Sequence, residues 1–455
     1  MADATQQCAF TIITPLTSDD DWELDQLAQR VASLDPRLPG VGRIAFHELP
    51  MLHYCSLSLI RQEASSPVGS YLAFEGNVDG PVFAFLEALE ELAGGVLREV
   101  YAHCRGYSGS GSLTTYWLRH DVGPGTWYVG WRGRSVQEIQ REALLRERVE
   151  DSVDTFPDRK SMTPREIWRA VRAEIAADAE LARWAQDPPT LPFFIRVVGP
   201  LIDRVRSSSA AIPVAIVLAL VWLAGLLGVW VGPAVTALAR SLTALALAGA
   251  GLYWWAKQQL RELEASDPPG PELPDAARYA ATTAREDLYL QNHLCLRNVV
   301  KDGSFRMGIL RLALAVIGFV HRVYYNRGKL GGIPSIHFAR WVLLPERREL
   351  LFFSNFDGSY EGYLGDFIDG ASIGLNSIWG NTKTYPRTFG LFGGGAQDEA
   401  RFKTFGRNAQ HPTLVWYAAY PNLSNRNIAQ NARIREGLFA TFARDADIEA
   451  WVNQL

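Results

Sequence analysis

A run of about 21 residues without a single charge, AIPVAIVLALVWLAGLLGVWV at 211–231, limits what this chain can fold into more than any other feature. As a helix it is long enough to cross roughly 30 Å of hydrocarbon. Gly232 and Pro233 make a turn, and 234–256 then runs apolar again, ending in Trp254 and Trp255. Arg240 sits one to two turns into this second segment, where its long side chain snorkels to the interface. The paired tryptophans suit the headgroup level. The pattern predicts a two-helix transmembrane hairpin, with a buried hairpin of a large soluble domain as the competing reading. Arg196, Arg204 and Arg206 precede the pair, and Lys257 and Arg261 follow it. The positive-inside bias therefore places both flanks on the cytoplasmic side of an inner membrane.

The rest of the chain is soluble in character. Its 455 residues leave room for two or three domains, each with its own core. A net charge of −4 with scattered basic residues gives no reason to expect a nucleic-acid partner. Cys8, Cys55, Cys104 and Cys295 are far apart, which fits a reducing compartment and excludes a thiolate zinc site. Met1 to Gln7 is polar, so no signal peptide is expected.

The chain repeats itself. Leu49-Pro-Met-Leu-His-Tyr-Cys-Ser-Leu-Ser-Leu-Ile60 aligns with Ile333-Pro-Ser-Ile-His-Phe-Ala-Arg-Trp-Val-Leu-Leu344, pairing His53 with His337. Phe74-Glu-Gly-Asn-Val-Asp-Gly80 aligns with Phe352-Phe-Ser-Asn-Phe-Asp-Gly358, and Thr126–Trp131 with Thr413–Ala418. Three matches in one order point to a duplicated unit. In the first copy, strands are predicted at 9–15, 52–60, 71–75 and 126–131, with helices from Asp19 to about Leu34 and after Asp79-Gly-Pro81. In the second, strands are predicted at 293–300, 335–344, 349–355 and 413–420, with helices over about 306–325 and 359–379.

The order β-α-β-β-α-β is the ferredoxin-like split motif. The predicted fold class is therefore α+β: two tandem ferredoxin-like repeats as packed sheets or a barrel, with the transmembrane hairpin inserted between them. The boundaries are 1–150 for the first repeat, 151–208 for a helical connector, 209–257 for the hairpin, 258–285 for a Pro-rich linker and 286–455 for the second repeat.

This duplicated arrangement resembles the dimeric α/β-barrel superfamily, which includes dye-decolourising peroxidases and chlorite dismutases. The resemblance covers the two repeats and implies a haem held in the second one. By that implication His321, in Gly318-Phe-Val-His-Arg-Val-Tyr-Tyr325, is the axial, metal-binding ligand, and Arg340 on the next strand stabilises bound oxygen. His337 is the next ligand candidate. Gly76-Asn-Val-Asp-Gly80 has the G-x-x-D-G form of the peroxidases' distal aspartate, and its second-repeat counterpart supplies Asp357.

Each of these residues also has a plainer reading. A histidine near a helix end bonds the last carbonyls, and an Asn-x-Asp-Gly between strand and helix is turn and cap chemistry. Strict alternation separates His337, Ala339 and Trp341 from Ile336, Phe338 and Arg340, so His337 and Arg340 share a pocket only if a bulge intervenes. Gly390-Leu-Phe-Gly-Gly-Gly395 lacks the following Lys-Ser/Thr of a P-loop and reads as a turn. Met307–Val320 is apolar nearly all round, Arg311 excepted, and reads as a core helix or as the wall of a route for a hydrophobic substrate. Two functions follow: a membrane-anchored, haem-dependent peroxidase-like oxidoreductase acting on a lipophilic small molecule, or a non-enzymatic membrane scaffold that assembles homo-oligomers through its sheets. Membrane lipid is a partner in either case.

Overall fold

The computed structural model describes residues 6–38, 43–62, 69–156, 159–189, 233–271, 276–284, 286, 289–325, 328, 330–442 and 444–455, together with Leu223. The apolar segment 211–231 thus lies, Leu223 apart, outside the described residues.

Six nine-residue strands form the frame. In the first repeat, β1 (Gln7–Pro15) and β2 (Leu52–Ile60) flank β3 (Tyr71–Asp79), all antiparallel. In the second, β5 (Gln291–Val299) and β6 (Ile336–Leu344) flank β7 (Glu349–Asp357) in the same way. The helices fall where the duplicated motif requires. Helices α1 (Asp21–Ala32) and α2 (Val82–Tyr101) belong to the first copy, joined by α3 (Leu113–His120). Their counterparts in the second are the helices Ser304–Val323 and Tyr360–Trp379.

The fourth strands depart from expectation. A ferredoxin-like unit returns its last strand to its own sheet, but here the two repeats exchange them. Strand β4 (Thr126–Val129) of the first repeat pairs with β6 of the second. The last strand, β11 (Thr413–Ala418), pairs with β2 of the first. The sheets therefore run β1-β3-β2-β11 and β10-β5-β7-β6-β4, where β10 is the two-residue strand Gln410–His411. Neither repeat is complete without the other.

Both faces of each sheet are covered, so the strands are buried along nearly their whole length. Between the sheets, Ile13, Ile60, Tyr71 and Ala73 meet Cys295, Val342, Leu351 and Phe353. Outside the first sheet, Phe10, Leu57 and Phe74 pack under α1–α3. Outside the second, Leu296, Trp341 and Phe352 pack under the helices of the second repeat.

The connector is larger than its predicted range. Helix α4 (Val136–Thr155) starts directly after β4, and α5 (Pro164–Ala177) and α6 (Ala179–Gln186) follow, α5 opening with a Thr163/Glu166 capping box. They pack with the C-terminal helices around Leu145, Val149, Trp168, Ile434 and Trp451. Glu142, fully buried, lies between Arg134 at 3.1 Å and Arg435 at 3.2 Å.

The predicted second arm of the membrane hairpin is a 33-residue helix, α7 (Pro233–Ala265), whose Leu238, Leu242, Leu245, Leu247, Leu252 and Trp254 are exposed. Then come α8 (Ala276–Thr283), α9 (Ser304–Val323) and α10 (Tyr360–Trp379). After the two-residue hairpin strands β8 (Thr388–Phe389) and β9 (Gly393–Gly394), the chain closes with α11 (Glu399–Ala409), α12 (Asn425–Leu438) and α13 (Asp445–Val452). Among the described residues, α9 is the one helix long and apolar enough to cross a membrane. It lies on the second sheet instead: Met307, Leu310 and Leu314 are buried there, and Thr126 Oγ1 donates to Leu314 O at 3.0 Å.

Candidate functional site

The space between the sheets holds a duplicated polar frame, and most of the predicted site residues belong to it. Each copy carries an extra residue in its second strand, breaking register between Leu52 and Tyr54 and between Ile336 and Phe338. The histidine is the inserted residue both times. Simple alternation therefore fails at His337: its ring and that of Phe338 both face Tyr54, at 5.5 and 5.6 Å.

His53 Nε2 lies 2.9 Å from Asp79 Oδ1, and His337 Nε2 lies 2.7 Å from Asp357 Oδ1. The second carboxylate oxygen accepts the first N–H of the helix after the exchanged strand. Val136 N donates to Asp79 and Asn425 N to Asp357. Two residues earlier, Trp127 donates to Asn77 at 3.1 Å and Trp416 to Asn355 at 2.8 Å. These bonds make Trp127 the structural equivalent of Trp416, two residues off the alignment that pairs Thr126 with Thr413. The glycines Gly80 and Gly358 take φ of 82° and 81°, the left-handed turn the motif requires. The Asn-x-Asp-Gly motif thus ties each exchanged strand and its following helix to the repeat that emitted them.

Arg340 crosses the same interlayer. Its guanidinium donates to Phe10 O at 2.6 Å, Gly76 O at 3.1 Å and Asn77 Oδ1 at 2.5 Å, and sits 3.0 Å from Glu75 Oε2. The last is an ion-pair approach without hydrogen-bond alignment. Ser56 donates to Glu75 Oε1 at 2.8 Å, and His293 Nε2 lies 3.2 Å from it. Burial pushes the Glu75 carboxyl up, but Arg340, His293 and Ser56 outweigh it and hold the group below its ordinary value. A second buried pair, Arg297 with Glu349 at 2.6 Å, also takes the Tyr71 hydroxyl at 2.9 Å. Sequence reasoning missed Glu75, His293, Arg297 and Glu349. For Glu75 and Arg297 the available signal was a charged residue inside a strand, which survives only if paired; Glu349, at the start of β7, and His293 carry no such signal.

His321 stands elsewhere, on the outer face of the second sheet. It lies in the last turn of α9 and is 4 % exposed, with its ring 5.6 Å from Tyr128 and 6.0 Å from Trp341. Among the described residues its Nδ1 has no hydrogen-bond partner. Burial, and then the positive charge of Arg132, push its pKa down to about 4, so the imidazole is neutral at pH 7. It lines a cavity of about 410 Å³ between α9 and α10, with Tyr325, Trp341, Phe367 and Ile378. Space exists because α10 carries Gly370-Ala-Ser-Ile-Gly374 at this level. Gly370 touches the Leu330–Ile333 turn, where a Cβ would come within 2.9 Å of Gly331 O, while a Cβ on Gly374 would meet nothing within 4 Å.

This inner cavity shares Ile317, Ile373 and Gly374 with an outer one of about 1070 Å³. The outer wall is the end of α7, the exposed side of α9, and the β8–β9 hairpin with Phe389 and Phe392. Glu264 fixes α7 there, accepting from Thr388 Oγ1 and Gly390 N at 2.6 Å and Leu391 N at 3.0 Å. Asp267 pairs with Lys301 at 2.6 Å and Arg306 at 2.8 Å. The result is a cleft of two adjoining, largely apolar cavities, reaching from the foot of α7 to a buried neutral histidine.

The structure therefore does not gather the predicted site. Arg340, His337 and Asp357 lie in the interlayer, bonded to protein groups, and the second sheet separates them from the His321 cavity. A shared catalytic pocket is corrected accordingly, because Trp341, not Arg340, is the β6 residue that turns outward to His321. Among the described residues, no cluster of three or more His, Cys, Asp or Glu is placed to hold a metal.

His321 gives a pH signature. An unfolded imidazole titrates near 6.5, so the unfolded chain binds more protons between about 4 and 6.5. Its contribution is complete above about 6.5 and falls away as pH drops towards 4, by up to about 3 kcal/mol. His321→Leu is expected to flatten that limb relative to wild type, read as unfolding midpoints at pH 7.5 and 4.5; parallel pH curves would contradict the assignment.

No family model matches the chain, and neither a curated protein nor a solved structure does.

Proposed function

We propose that this chain is a membrane-anchored protein that takes a lipophilic ligand into the cleft on the outer face of its second sheet. The observation that carries the reading is the adjacency of the two cavities: largely apolar walls reach from α7 to His321, with Ile317, Ile373 and Gly374 lining both. Pockets of some 300–1,000 Å³ with apolar walls and few polar groups are the usual form of small-molecule sites. Anchorage rests on the uncharged 211–231 segment and the exposed apolar residues of α7, as a two-pass hairpin with both soluble repeats on the cytoplasmic face. Exposed Leu312, Val316 and Phe319 on α9 would then face the bilayer surface.

The test is a neutral lipophilic dye, N-phenyl-naphthylamine, added to the full chain in detergent. Dye fluorescence is expected to rise saturably with the wild type. Gly374→Trp, whose Cβ would meet nothing within 4 Å and whose ring would take up cavity volume, is expected to weaken binding by about tenfold or more in a variant that still folds. Equal binding by a folded Gly374→Trp variant would refute the cleft as the site.

A second reading is favoured by His321 alone. The fold-level resemblance to haem-binding barrels implies an axial histidine on this helix, and a buried neutral imidazole with an unpartnered nitrogen fits that role. A haem bound there would supply redox chemistry, and this chain's contribution would be the His321 ligand and the apolar walls that exclude water. The distal arginine is not part of this reading, because Arg340 is committed to Glu75 across the sheet. An absorption spectrum of the protein made with added haem precursor, beside His321→Ala, decides it. A Soret band lost in the variant supports haem, and no band in either removes it. The scaffold reading has less to stand on, since helices and the opposite sheet already cover the faces that would assemble.

A further inference from the structure

We infer that the ligand is an anionic amphiphile drawn from the bilayer, its chain in the cleft and its charged head on Lys257 and Arg261. The inference rests on the cleft reading above and adds the ligand's charge and its direction of entry.

Lys257 and Arg261 are one helical turn apart on α7 and both line the outer cavity. Of the other charged groups of that wall, Glu264 accepts three bonds from the hairpin, and Arg387, a third cation, is held by its Nε on the backbone oxygen of Asp267 at 2.8 Å. Among the described residues, neither Lys257 nor Arg261 has a carboxylate partner; Lys257 lies over the Tyr253 ring at 5.6 Å. Two cations with no carboxylate partner among the described residues thus stand at the mouth of a largely apolar cleft.

Their place along α7 fixes the level of the mouth. Leu245, Leu247 and Leu252 are exposed, then Tyr253, Trp254 and Trp255, and Lys257 and Arg261 follow. Apolar shaft, aromatic belt and cation is the order in which a helix leaves a bilayer. The cleft then opens at headgroup depth, beside exposed Phe389 and Phe392 of the hairpin and Val316 of α9. A carboxylate or phosphate head would meet the two cations there, and its chain would find the apolar walls leading past Gly374 towards His321.

The test compares cis-parinaric acid with its methyl ester on the full chain in a non-ionic detergent, read by energy transfer from tryptophan. The acid is expected to bind about tenfold more tightly than the ester, the effect of a charge-assisted contact. Lys257→Gln/Arg261→Gln should bring the acid's Kd to the ester's value. Equal affinities of acid and ester in the wild type, or a preference that persists in the double variant, would overturn the inference and leave the cleft reading in place. Failure of the wild type to bind either probe would overturn both.

Discussion

Truncating Arg340 to alanine is expected to cost about 3–5 kcal/mol, the effect of leaving a buried carboxylate without its partner. Glu75 is fully buried, and among the described residues Arg340 is the one guanidinium that reaches it. The same truncation also strips donors from Phe10 O, Gly76 O and Asn77 in the opposite sheet. The damage therefore falls on the interlayer that joins the repeats. The unfolding midpoint of the detergent-solubilised protein reads it. Glu75→Gln/Arg340→Met should be less destabilised than Arg340→Ala, because Gln keeps partners for Ser56 and His293 without a charge to strand. A double variant no better than the single would show that the ion pair is not the reason for the loss.

Asp79→Ala and Asp357→Ala are each expected to lose about 2–4 kcal/mol, and by similar amounts. Each carboxylate holds a buried histidine on one oxygen and the first N–H of a helix on the other. Loss of a helix-terminal acceptor costs about 1 kcal/mol, and an unsatisfied buried partner about 1–3 more. Thermal unfolding of the two variants side by side is the measurement. A large effect at one site and none at the other would contradict the structural equivalence of the repeats.

Much of this frame was legible in the sequence, because the duplicated His53/His337 and Asp79/Asp357 are local signals that recur in order. The strands they mark are long and bounded by turn residues, so their identity follows from pattern alone. The exchange of β4 and β11 was not legible. Strand pairing across more than two hundred residues leaves no local trace, and both edge partners, β2 and β6, offer the same apolar run. The bulge at His337 was foreseen only as a condition, since one inserted residue does not alter composition. Of the cleft, the sequence marks only the α9 wall, Met307–Val320, as a core helix or the side of a hydrophobic route; the opposite wall is not legible. Gly370-Ala-Ser-Ile-Gly374 reads as an ordinary small-residue stretch of helix, and only its position opposite α9 turns missing side chains into volume. His321 was picked out by analogy, and the structure places it in that cavity without the Arg340 that the analogy paired with it.

The central claim is that a lipophilic molecule enters the cleft, and light-induced cross-linking tests it most directly. The full chain in lipid bilayers would be irradiated with a long-chain alcohol bearing a diazirine, and the adducts mapped by peptide mass spectrometry. Adducts within 304–323 and 360–379 that disappear in Gly374→Trp are the predicted result. Adducts confined to the apolar shaft of α7 at 238–252, alike in wild type and variant, would contradict it.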